Sequence, residues 1–141
     1  MKPPASSRSP NSPSSPRIKP VIDLKDLQQR CHDRARSAGW WDEYDEMPEQ
    51  YRKHFVAAKI ALVHSEVSEA LEGFRKGTQD DHLPTRLTVE VEFADTIIRM
   101  LDLAGQLGLD LNGAILAKLD YNSTRADHTR EARAAKGGKS L

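Results

Sequence analysis

Val56, Ile60, Val63, Val67, Ala70 and Phe74 recur every three or four residues, the spacing of one face of an α-helix. Pro48 suits the first turn of such a helix and Gly77 its end, so the pattern predicts a helix over 48–76. A second stripe runs beside the apolar one: Lys59, Leu62, Glu66 and Glu69. Its two carboxylates lie one turn apart, next to the apolar face rather than opposite it. Partial burial disfavours the charged form of an acid, so a cation or a donor is expected to offset them.

Three more helices follow from the same reading. Leu24, Leu27 and Cys31 form the apolar side of a helix from Asp23 to Ser37, ended by Gly39. Pro84 opens another that runs to about Gly108, with Leu87, Val91, Ala94, Ile98, Leu101 and Gly105 as its packing face. Next to that face stands a polar stripe: Glu92, Asp95, Arg99 and Asp102. Asp110 is an N-cap for a fourth helix from Leu111 to about Asp127, packed by Leu111, Ile115, Leu116 and Leu119. Its polar stripe is Lys118, Asn122 and Arg125. No alternating strand pattern or internal repeat occurs. Short connectors join antiparallel neighbours, so the fold class is all-α, an antiparallel bundle of about four main helices. Between the first two helices lies an acidic, aromatic connector from Trp40 to Pro48. Two readings stand for Trp40 and Trp41: they cap the bundle as core, or a flat ring stacks on a flat ligand.

Composition divides the chain. Residues 1–20 hold six of the eight prolines and six serines, with basic residues and no acid, the signature of a disordered tail. Residues 21–128 form the helical domain, and 129–141 a basic, mobile end. A length of 141 residues suits one domain with a real core. Lys plus Arg equal Asp plus Glu, 21 each, which argues against a nucleic-acid polymer or a membrane surface as partner. No apolar run is long enough to span a bilayer and no signal-like segment occurs, so a soluble, cytoplasmic protein is expected. The lone Cys31 fits a reducing compartment and reads as a small apolar side chain.

Candidate chemistry comes from pairing the stripes. Glu66 and Glu69 on one helix, Glu92 and Asp95 on the next, are two acidic pairs at i, i+3 beside the core. From Glu69 to Gly77 and from Pro84 to Glu92 are equal arms, which in an antiparallel hairpin brings the pairs to one level. Four converging carboxylates repel unless cations lie between them, and oxygen-only ligands select Mg²⁺ or Mn²⁺. A di-iron centre would need Glu-x-x-His, which is absent, and His64 points off the stripe. Lys118, Asn122 and Arg125 on one helix face, with Lys59, supply matching donors, so a polyphosphate bridging acids and cations would satisfy both. The plainer reading of Lys59 is a surface cation, and of Arg99 a partner for Asp95 or Asp102.

The run from His64 to Glu72, then Glu92-Phe93-Ala94-Asp95, then Lys118-Leu119-Asp120-Tyr121-Asn122-Ser123-Thr124-Arg125, resembles the MazG-like all-α nucleoside triphosphate pyrophosphohydrolases. Gly39-Trp40-Trp41 and Gly137-Gly138-Lys139 also look like the compact members of that family. The likeness spans residues 24 to 141, although the stretch from His128 to Lys136 is longer than the family pattern. The resemblance implies that Glu66, Glu69, Glu92 and Asp95 bind Mg²⁺, with Glu66 or Glu69 orienting or deprotonating the attacking water. It implies that Lys118, Asn122 and Arg125, with Tyr121 and Lys59 beside them, hold the substrate. Trp40 and Trp41 become candidates for the base pocket, Asp102 for the sugar, and His32 a further candidate. The implied reaction splits a nucleoside or deoxynucleoside triphosphate between the α- and β-phosphates. The implied assembly is a homodimer or a dimer of dimers that completes the bundle. The alternative class is a non-catalytic helical interaction or regulatory protein, its acids an ordinary solvated face.

Overall fold

The computed structural model describes residues 23–135, so the expectations for residues 1–20 and for Gly137-Gly138-Lys139 lie outside it. Asp23 caps helix α1 (Leu24–Ser37), its carboxylate accepting from the Lys25 N–H at 2.9 Å. Gly39, at φ 79°, turns the chain into the short helix α2 (Asp42–Glu46). Helix α3 (Glu49–Lys76) follows Pro48 and stops at Gly77, whose left-handed backbone sends its N–H back to the Gly73 carbonyl. Helix α4 is Thr88–Gln106 and α5 Leu111–Thr124, with Asp110 accepting from the Gly113 N–H at 3.0 Å. A 3₁₀ turn (Ala126–His128) and helix α6 (Arg130–Ala134) complete the described residues. They are all-α, with one isolated bridge between Gln79 and Leu87. None of their helices is long and apolar enough to cross a membrane.

Two boundaries differ from the sequence reading. Pro84 does not open α4. Asp80 instead accepts from the His82 and Leu83 N–H groups, the Gln79–Leu87 bridge closes the hairpin, and Pro84 falls inside that turn. Leu87 becomes the N-cap, and its N–H donates to the Glu90 carboxylate at 3.2 Å. The fourth helix ends at Thr124, and part of the expected mobile end, residues 130–134, is helical.

Helix α4 lies against both α3 and α1, and a glycine makes each approach possible. A Cβ on Gly73 would meet the Thr88 side chain at 2.7 Å, and one on Gly105 would meet His32 Cβ at 2.7 Å. The close-packing role expected of Gly105 is therefore real. The core is built on Trp41 and Leu101, with Ala70, Leu103 and Ala104 around them.

The rotation of α3 departs from expectation. Its buried residues are Glu66, Ala70 and Gly73, in line with the half-buried Lys59 and Val63. Of the expected apolar stripe only Ala70 is buried, while Ile60, Val67 and Phe74 are exposed. The face with small residues turns inward because only it lets the two backbones approach at Gly73 and Thr88. Helix α5 has no buried residue, and its main contact is with α1. Leu116 and Leu119, expected to pack it, are exposed.

Candidate metal and nucleotide site

The contact between Gly73 and Thr88 sets the level of the acids. Glu69 lies four residues before that contact on α3 and Glu92 four residues after it on α4. The arms are equal about Gly73 and Thr88 as they are about Gly77 and Pro84, so the close contact keeps the register that the equal arms predict. Carboxylate oxygens of Glu66, Glu69 and Glu92 consequently lie within 4.8 Å of one another. Glu66 is only 6 % exposed, deep in the seam, while Glu69 is exposed and Glu92 half-buried between them.

Electrostatics register the crowding. Burial pushes the Glu92 carboxyl up to about 7, helped by a hydrogen bond shared with Glu66 and by the charges of Glu69, Glu66 and Asp95. Asp95, one turn along α4, is raised by burial and then by the charge of Glu66, with Arg99 opposing the shift. Its oxygens do not join the close trio, so three of the four expected ligands converge and the fourth stands beside them. Oxygen-only donors that repel one another fit a hard divalent cation, which would relieve the repulsion that burial amplifies.

Beside the acids, residues of α1, α3 and α4 line an open cavity of about 1010 Å³, at the upper end of the range for ligand pockets. Asp95, Arg99, Asp102, Lys59, Trp40 and Ile98 are among the residues that line it. Arg99 crosses from α4 to Glu66, Nε to Oε1 at 2.7 Å, rather than pairing along its own helix with Asp95 or Asp102. Lys59 Nζ lies 4.7 Å from the Trp41 ring centre and 5.5 Å from that of Trp40, and burial lowers its ammonium from the usual value.

The two tryptophans separate. Trp41 is fully buried, edge-on to His32 and Tyr44, and its indole N–H donates to Asp102 Oδ1 at 2.8 Å. Its expected place in a base pocket is thus corrected to a core residue, because no ring face remains open to a ligand. Trp40 is 65 % exposed and lines the cavity. Asp102 Oδ1 also bonds His32 Nδ1 at 3.0 Å, so His32 and Trp41 form one polar knot with Asp102, which lines the cavity. The bland reading of Cys31 fits its surroundings, since burial and the charge of Asp102 push its thiol up, away from reactive thiolate.

The cations of α5 are not brought to the acids within one chain. Lys118, Tyr121, Asn122 and Arg125 are absent from the cavity wall, and none pairs with Glu66, Glu69, Glu92 or Asp95. Lys118 Nζ lies 4.7 Å from the Tyr121 ring centre. Arg125 is held by Asp127 in a two-pronged pair, at 2.9 and 2.5 Å, and the hydrogen bond from Arg125 draws Asp127 down to about 2. Among the described residues, therefore, no ion pair or shared cavity joins the acidic hairpin to the basic stripe, and α5 makes its main contact with α1. Asn122 Oδ1 is buried yet has no hydrogen-bond partner among the described residues.

Sequence reasoning missed Arg99 as part of this site. Its place in the stripe Glu92, Asp95, Arg99, Asp102 was visible, but its partner depends on the rotation of α3. Comparison adds no further guide, since no family model, no curated protein and no solved structure matches the chain.

Proposed function

We propose that this protein is a Mg²⁺-dependent nucleoside or deoxynucleoside triphosphate pyrophosphohydrolase of the MazG-like all-α type, acting as a homo-oligomer in the cytoplasm. The observation that carries the reading is the convergence of Glu66, Glu69 and Glu92, joined through Arg99 to a cavity that Asp95, Lys59 and Trp40 also line. Glu66, Glu69 and Glu92, with Asp95 adjacent, would hold the cation, and Mn²⁺ suits the same donors. When bound, the ion supplies charge neutralisation and a more acidic water.

The chain's own residues divide the remaining work. A carboxylate of the Glu66/Glu69 pair orients the attacking water or takes its proton. Water adds across the bond between the α- and β-phosphates, and the products are a nucleoside monophosphate and pyrophosphate. Lys59 offers positive charge inside the cavity, and the open face of Trp40 offers a stacking surface for the base. The Trp41–Asp102–His32 knot keeps the wall rigid. Lys118, Asn122 and Arg125 reach phosphates in an assembled oligomer, where the exposed Val67, Leu71 and Phe74 of α3 and Phe93 and Ile97 of α4 find cover.

Incubation with Mg²⁺ and a panel of canonical, deoxy and modified triphosphates tests the reading. Pyrophosphate with matching monophosphate is the expected result, and the ranking names the substrate. Orthophosphate alone removes α–β cleavage. No product and no nucleotide-dependent thermal shift, with either ion, favours the second reading, a helical interaction protein that uses its exposed apolar residues for contact.

A further inference from the structure

Arg99 is spent in an unusual way. Its guanidinium pairs with Glu66, Nε to Oε1 at 2.7 Å, and Glu66 is the one acid it pairs with among the described residues. A guanidinium carries five N–H donors in a planar fork, more than one carboxylate uses. The side chain is 42 % exposed and lines the cavity, so those donors are open to an incoming ligand. Meanwhile Glu66 is the most buried of the converging acids and the one a cation would most need. Arg99 and a divalent ion therefore compete for the same carboxylate.

Resting on the pyrophosphohydrolase reading, we infer that Arg99 is a phosphate-binding residue held in reserve by Glu66. Without ligand, Arg99 supplies the positive charge that the buried carboxylate needs. When the acids take up a cation with a triphosphate, the guanidinium turns from Glu66 to the phosphate oxygens, which match its planar fork. The exchange leaves neither charge unpaired, because the phosphate replaces the carboxylate and the cation replaces the arginine. It also couples the two ligands. The cation alone must displace Arg99 with nothing to receive it, whereas cation and triphosphate together provide both new partners.

The test measures binding to the full chain, wild type, R99Q and R99K, by calorimetry. Ligands are Mg²⁺ alone, the α,β-methylene analogues of the four deoxynucleoside triphosphates with Mg²⁺, and the matching monophosphates. Wild type is expected to bind Mg²⁺ weakly alone and more tightly with an analogue. R99Q is expected to bind Mg²⁺ alone more tightly and the triphosphate analogues about 10- to 100-fold more weakly, the scale of charge-assisted hydrogen bonds. Monophosphate affinity should change least, and R99K should restore part of the loss while keeping Glu66 paired. If R99Q binds the triphosphate analogues as well as wild type, or loses affinity equally for every ligand, Arg99 only supports the fold and the inference fails by itself. If wild type binds neither Mg²⁺ nor any analogue, the inference falls together with the proposed function.

Discussion

The seam between α3 and α4 and the helix α5 were built from similar material and ended differently. Both carry an apolar stripe beside a polar one. In the seam, Gly73 lets Thr88 approach, Ala70 and Glu66 are buried, and three carboxylates meet. In α5 no residue is buried as a whole, and Leu116 and Leu119 are exposed. The seam is complete within one chain because two backbones come close enough to exclude water. Helix α5 makes its main contact with α1, and Arg125 at its C-cap pairs locally with Asp127. The acidic trio thus comes together within one chain, while the α5 cations stay outside the cavity wall.

That contrast can be broken most severely at the acids. Glu69→Gln removes charge from an exposed position in the trio, so it is expected to lower Mg²⁺-dependent pyrophosphate release at least about 100-fold with the helical circular dichroism spectrum unchanged. Retained turnover would take Glu69 out of the ligand set.

Next in size is the close approach itself. Gly73→Ala brings a helix-propensity gain of about 1 kcal/mol. Against it stands a Cβ 2.7 Å from two Thr88 side-chain carbons and 3.3 Å from the Val89 backbone nitrogen. Overpacking of that kind costs about 1–3 kcal/mol, so a lower melting temperature is expected. A higher one would mean the seam has slack.

A smaller effect comes from pH. Glu92 rises from an ordinary 4.5 to about 7 on folding, so the folded chain binds more protons than the unfolded chain between those values. Metal-free stability should fall as pH climbs from about 4.5 to about 7 and level off above it. The Mg²⁺-induced rise in melting temperature should be larger at pH 8 than at pH 6, because the cation no longer displaces a proton. Equal Mg²⁺ shifts at both values would separate Glu92 from the cation.

The mildest change for the fold is on α5. Leu116→Ser with Leu119→Ser touches no buried residue, so helical content should hold while the solution mass drops towards that of one chain. An unchanged mass in light scattering would leave α5 out of the assembly.

Much of the architecture was legible because it rests on local chemistry. Asp23, Asp110 and Gly77 mark helix ends through their own side chains or backbone, and the structure keeps each. The acidic pairs were visible at i, i+3, and the equal arms pointed to their meeting, although Asp95 stays outside the close trio. Pro84 misled because a turn held by Asp80 outcompeted a helix start. Trp40 and Trp41, adjacent in sequence, could not be told apart, since only the arrangement of α1, α3 and α4 makes one core and the other a cavity wall.

By itself, the sequence determined that the described chain is helical, where its long helices run, and that two acidic pairs stand beside apolar stripes. Periodicity and capping act within a few residues, so one chain read in order suffices for them. Tertiary structure decided which face of α3 turns inward, which tryptophan is buried, that Arg99 reaches Glu66, and that α5 keeps its cations away from the acids. Those outcomes depend on how closely two helices approach and at what rotation, which Gly73 against Thr88 and Gly105 against His32 settle through space.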